Sequence, residues 1–129
     1  MAVSSSEKIA EQLAELALDR KALDVVVVDV RGKASYADFL VLASGTSDRH
    51  VQAIADFADK EMAKEHGVKS QGQEGVREGQ WALVDFGSVI LHVFHQFTRT
   101  VFDLDGLWAQ APKISVSDQP KARAESQRT

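Results

Sequence analysis

Residues 80–95 confine the fold more than any other stretch: two runs of strong β composition, 80–86 and 88–95, meet at Gly87. With Phe86-Gly87 as a two-residue turn, Trp81 faces His92, Leu83 faces Ile90 and Asp85 faces Ser88. Side chains alternate along a strand, so Ala82, Val84, Val89, Leu91 and Val93 make one purely aliphatic face, which has to be buried. The opposite face carries Trp81, Leu83, Asp85, Ile90, His92 and Phe94. Physics leaves two uses open for it. It is either a second core whose polar tips are satisfied internally, the commoner fate of aromatics, or a partly open surface that receives a partner.

A hairpin alone cannot cover such faces, and the rest of the chain supplies the cover. Ile9, Ala10, Leu13, Leu16 and Ala17 recur at helical spacing and predict a helix over roughly residues 7–21. Ser4 stands three residues before Glu7 as a capping box, with Ser6 as an alternative N-cap. Residues 24–30, with four consecutive valines, read as a strand covered on both faces, and residues 38–44 as a second apolar strand. The link through Arg31-Gly32-Lys33 fits antiparallel neighbours. Thr46 or Ser47 caps a helix from Asp48 that buries Val51, Ile54, Ala55, Ala58 and Met62 and stops at His66-Gly67. Residues 68–73 are a weak strand and 75–79 a turn; 99–108 place Val101, Leu104 and Trp108 at helical spacing in a short third helix. The order α-β-β-α-(β)-β-β-α predicts an α/β (α+β) fold, a mixed β-sheet of about five strands with two to three helices packed on it. In a chain of 129 residues this is one domain over residues 1–111, followed by a disordered tail at 112–129 rich in Ser, Gln, Lys and Arg.

Composition removes several chemistries. There is no cysteine, so disulfides, cysteine-bound metals and thiol nucleophiles are excluded. No signal peptide is legible at the N-terminus, and no apolar run approaches the ~20 residues of a membrane span, which predicts a soluble, cytoplasmic protein. His92 and His95 are three apart on a strand, point to opposite faces and cannot share an ion. Asp48-Arg49-His50 follows a Gly-x-Ser turn at a helix start, where an anion could sit, yet an N-cap with Asp48 in the first turn suffices. Such a turn is also found in nucleotidyltransferases. Those enzymes need paired metal-binding carboxylates, and Asp103-Leu104-Asp105 falls in the terminal helix instead. Asp85-Phe86-Gly87 copies a kinase tripeptide without the Gly-rich loop a kinase needs, and no serine sits in a GxSxG elbow. No enzyme, no metal and no cofactor are expected.

The order of motifs resembles one family. Gly45-Thr46-Ser47-Asp48-Arg49-His50-Val51 with Ile54-Ala55-Asp56, Glu74-Gly75, Trp81-Ala82-Leu83-Val84-Asp85-Phe86-Gly87, the VILHVF run at 89–94, Asp103-Leu104 and Leu107-Trp108 are similar to the ribosomal silencing factors, also called RsfS or Iojap-like proteins. The resemblance implies a nucleotidyltransferase-like fold without the catalytic site. It also implies a non-enzymatic repressor that binds the large ribosomal subunit through its ribosomal protein fourteen and blocks joining of the small subunit under nutrient limitation. On that reading the partner-binding residues are Trp81, Leu83, Asp85, Ile90 and His92, with Trp81 as anchor, and Asp48, Arg49 and His50 in support. A degenerate nucleotide-binding protein is the alternative, and a homodimer of the free protein through the same hairpin face is a further expectation. Charge fits a basic protein partner. The formal net charge is −4, and it falls to −6 without the segment holding Lys113, Lys121, Arg123 and Arg128 against Asp118 and Glu125. Direct RNA contact is expected at most from that tail.

Overall fold

The structure is a computed structural model, and it describes residues 5–115. The element order is α1 (Ser5–Asp19), β1 (Leu23–Asp29), β2 (Phe39–Gly45), α2 (Asp48–His66), β3 (Gly72–Glu74), β4 (Trp81–Asp85), β5 (Val89–His95), α3 (Gln96–Phe102), α4 (Leu104–Leu107) and β6 (Lys113–Ser115). The strands form one mixed sheet in the order β3-β4-β5-β2-β1-β6. β2 and β5 run parallel at its centre, and every other pair is antiparallel. All seven residues of β2 are buried, as expected of a central strand covered on both faces.

One face of the sheet packs on α1 and α2. Leu13, Leu16, Val51, Ile54 and Met62 meet Val25, Val27, Phe39, Val41 and the aliphatic face of the hairpin, Ala82, Val84, Val89, Leu91 and Val93. Ser47 caps α2 by accepting the His50 N–H at 3.0 Å, and Gly67, at φ 69°, closes its C-terminus. Ser6 is not a cap. It lies inside α1 and donates to Asp38 at 2.8 Å, tying the first helix to the entry of β2, while Ser4 lies outside the described residues.

The second face is also a core. Val28, Val30, Leu40, Leu42, Ile90 and Phe94 are buried there, and Leu104, Trp108 and Ala111 pack over them. The single helix expected over 99–108 is two, because Asp103 takes a left-handed conformation, φ 50°, and its carboxylate caps α4 by accepting the Gly106 N–H at 3.0 Å. The break turns Val101 outward, 76% exposed, while Leu104 and Trp108 stay on the core.

The sheet also runs past the expected boundary at 111. Lys113–Ser115 pairs with β1, setting Ile114 opposite Val27, so a segment assigned to a disordered tail completes the open edge of a valine strand. Lys113 Nζ donates to the carbonyls of Trp108, Ala109 and Ala111 at 3.0–3.1 Å and seals the end of α4. The rest of that tail, 116–129, lies outside the described residues.

Candidate functional site: the Trp81 face and its supports

The hairpin turns one residue later than its composition suggests. Phe86 N–H donates to Val89 O at 2.9 Å, so Gly87-Ser88 form the turn, and Asp85 Oδ1 accepts the Gly87 N–H at 2.7 Å. Gly87, at φ 88°, adopts a backbone that suits this position. Trp81 therefore stands opposite Phe94, Leu83 opposite His92, and Asp85 opposite Ile90. The pairing slips by two residues, so each side chain keeps its face.

The structure splits the expected contact set by depth. Trp81, Leu83 and Asp85, on the outer strand of the hairpin, are half-buried. Ile90 and His92, on the inner strand, are only 9% and 7% exposed and belong to the second core. His92 acts beneath the surface: its Nδ1 accepts the indole N–H of Trp81 at 3.0 Å, which leaves this nitrogen unprotonated. Burial pushes its pKa down from 6.5 to about 4, so the ring is neutral at pH 7. Trp81 is then bracketed by rings, with centroids 5.0 Å from Phe94, 4.7 Å from Phe102 and 5.9 Å from His92. Beside it a hollow of about 280 Å³ is lined by Glu74, Gly75, Trp81 and Leu83.

Phe102 carries this aromatic surface onto α3, where Phe97, Val101 and, on α4, Leu107 are also exposed. Phe97 and Phe102 do not stand out in the sequence, and Val101, which helical spacing groups with Leu104 and Trp108, is exposed instead because the helix is interrupted at Asp103. Arg99, on the same helix, is turned inward. It forms a two-pronged pair with Asp105, at 2.8 and 2.9 Å, and donates to Asp24 O at 2.8 Å and to the buried Ser44 hydroxyl at 2.9 Å. The guanidinium holds the Asp105 carboxyl below the usual carboxylate range.

Several polar groups of the Gly45–His50 turn are engaged internally. His50 Nδ1 accepts the Thr46 N–H at 2.9 Å, and its Nε2 reaches Arg20 O at 2.7 Å, which fixes the tautomer with the proton on Nε2 and joins the end of α1 to the start of α2. Asp48 accepts from the Gln80 amide at 2.6 Å. Arg49 is exposed. The carboxylates of Asp103 and Asp105 are likewise engaged in a cap and an ion pair, and no group of three or more His, Asp or Glu among the described residues is disposed to hold a metal ion. His95, far from pairing with His92, caps α3 by accepting the Phe97 N–H at 3.3 Å. No helix among the described residues is long and apolar enough to cross a membrane.

Comparison with known proteins agrees with the motif order. The family profile "RsfS: Ribosomal silencing factor during starvation" matches residues 3–129, which carries the shared region into the tail. The chain is 40% identical over 94 residues to ribosomal silencing factor RsfS of Bacillus subtilis, covering 73% of this chain and 79% of that protein. It is 34% identical over 101 residues to mouse mitochondrial assembly of ribosomal large subunit protein 1, covering 76% of this chain and 44% of that protein. A crystal structure of a Chromobacterium violaceum protein superposes with a TM-score of 0.78 at 32% identity, covering 91% of this chain and 98% of that one. The chain belongs to the ribosomal silencing factor RsfS family.

Proposed function

We propose that this protein is a cytoplasmic, non-enzymatic repressor of translation that docks on the large ribosomal subunit through the subunit's ribosomal protein fourteen. Seated there, it covers the surface the small subunit needs and keeps the subunits apart when nutrients are scarce. Family membership supports the ribosomal setting, and the mouse relative's name refers to the large subunit. The observation that carries the docking site is the aromatic surface at Trp81: a half-buried indole continued outward by Phe102, with Leu83 beside it. Aromatic anchors backed by packed rings are the usual centres of binding energy in an interface. Glu74 and Asp85 lie along the same strand pair, Glu74 opposite Leu83, and give the rim negative charge suited to a basic partner. Ile90, His92, Asp48 and His50 support this surface from beneath or behind.

Sedimentation with purified subunits tests the function. The protein should travel with large subunits in a sucrose gradient and reduce the joined ribosomes; if it travels with neither subunit and joining is unaffected, the reading fails. Trp81→Ala tests the site. It should weaken large-subunit binding about 30-fold or more, equivalent to about 2 kcal/mol, while a cooperative unfolding transition is retained. Wild-type affinity in a folded Trp81→Ala variant would move the site elsewhere. Sedimentation of the free protein before and after this substitution reports whether the same face also joins two copies.

A further inference from the structure

Gln80 stands directly before Trp81 and has an unusual number of partners for an exposed side chain. Its Nε2 donates to Asp48 Oδ1 at 2.6 Å, and its Oε1 accepts from Thr98 Oγ1 at 2.7 Å. Its backbone carbonyl accepts the His95 N–H at 2.9 Å. One residue thereby joins the first residue of α2, the start of β4, the end of β5 and the first turn of α3.

The neighbouring loop is fastened to the same helix end. Gln52 Nε2 donates to Arg77 O at 2.7 Å. Gly79, at φ 72°, lies so close to Asp48 that an added Cβ would come within 2.7 Å of its Cβ and carbonyl oxygen. The chain entering β4 is thus fixed from behind by Asp48, on the side of the sheet away from the Trp81 indole.

Residues 80 and 81 then grip the same helix at two points. Gln80 holds Thr98, and Trp81 packs at a tilt against Phe102, one turn further along α3. An amide can serve both neighbours in only one orientation. The Asp48 carboxylate accepts and cannot donate, so it takes the NH2 group and turns the amide oxygen toward Thr98.

We infer that Gln80, oriented by Asp48, is the positioning residue that sets α3 against β4 and so holds Trp81 and Phe102 in binding geometry. This rests on the proposal that Trp81 contacts the ribosomal partner. It gives Asp48 a role behind the site, without contact to the partner.

Exchange of partners tests it. Gln80→Glu puts two carboxylates face to face; the double variant Asp48→Asn, Gln80→Glu restores one amide and one carboxylate with their places exchanged. The full-length chain is labelled with 5-fluorotryptophan, and the Trp81 signal, assigned with Trp81→Phe, is followed by 19F NMR alongside large-subunit affinity. Gln80→Glu should shift or broaden the Trp81 signal and weaken binding about tenfold, and the double variant should recover both. Asp48→Ala, which removes the orienting acceptor without adding charge, should give the same direction of change and serves if Gln80→Glu does not fold. An unmoved Trp81 signal in the folded single variants, or a double variant no better than Gln80→Glu, overturns the inference. If the NMR signal moves and recovers as expected but the parent protein binds no large subunit, the positioning network stands and the proposed partner falls.

Discussion

Arg99→Ala should lower the unfolding free energy by about 3 kcal/mol, among the largest effects of any substitution outside the apolar cores. The side chain is 11% exposed and ends in four hydrogen bonds to three places distant in sequence: Asp24, Ser44 and Asp105. The ion pair supplies the smaller share, since Asp105 is 41% exposed and solvent screens it. The larger share is the Ser44 hydroxyl, 1% exposed, which loses its donor in the interior. Arg99→Lys should recover only part of the loss, because an ammonium cannot reproduce the planar fork that spans the carboxylate while also reaching the sheet. Urea unfolding measures both variants. Hydrogen exchange should show α3 and α4 losing protection first, for neither helix has a fully buried side chain and Arg99 is their main polar attachment to the sheet. A cost below about 1 kcal/mol in Arg99→Ala would refute this role.

Acid should weaken the fold through His92 before it reaches the ion pairs. The imidazole titrates near 6.5 in the unfolded chain and at about 4 in the native one, where burial excludes the charged form. The unfolded state therefore binds the extra proton between these values. His92's contribution is fully present above pH 6.5, declines as pH falls through the window, and is lost near pH 4 at a cost of about 3 kcal/mol. Asp29 and Asp105, whose pKa values are lowered by Arg31 and Arg99, act in the same sense but further down, losing their contributions only as pH falls below the usual carboxylate value of 3.8. Urea unfolding of the wild type and His92→Gln across this range isolates the effect. The variant should show a markedly shallower loss between pH 6.5 and 4, and parallel curves would refute the assignment. Because His92 accepts from the Trp81 indole, the same protonation should weaken large-subunit binding over the lower part of this window.

Much of the fold is legible locally because local chemistry decides it. Ser47 and Gly67 bound α2 by satisfying its end groups, and the valine run and the aliphatic hairpin face are strands because no other packing hides them. Alternation also identified which side chains share the Trp81 face, and a two-residue slip of register could not alter that. Depth was not legible. Whether His92 lies at the surface or beneath it depends on Leu104 and Trp108 packing over the same face, and their approach depends on a break at Asp103 that helical spacing conceals. Lys113–Ser115 contains one large apolar side chain and is a strand because β1 offers it an unpaired edge. Arg99 reads as one more surface cation until folding brings Asp24 and Ser44 beside it.

The parallel pairing of β2 with β5 has a consequence for how the chain is made. Phe39 pairs with Val89 and Gly45 with His95, so the middle of the sheet joins segments separated by a helix, a loop and a hairpin. During synthesis β2 emerges early, seven apolar and small residues long, and can pair with β1 at once; its other edge stays open until β5 follows. Chains halted before residue 95 should therefore expose a hydrophobic strand edge and aggregate, whereas chains that lack only the final strand can still close the centre. The molecule commits to its fold late, when the strand carrying His92 and Phe94 arrives beside β2 and the Trp81 face acquires its floor.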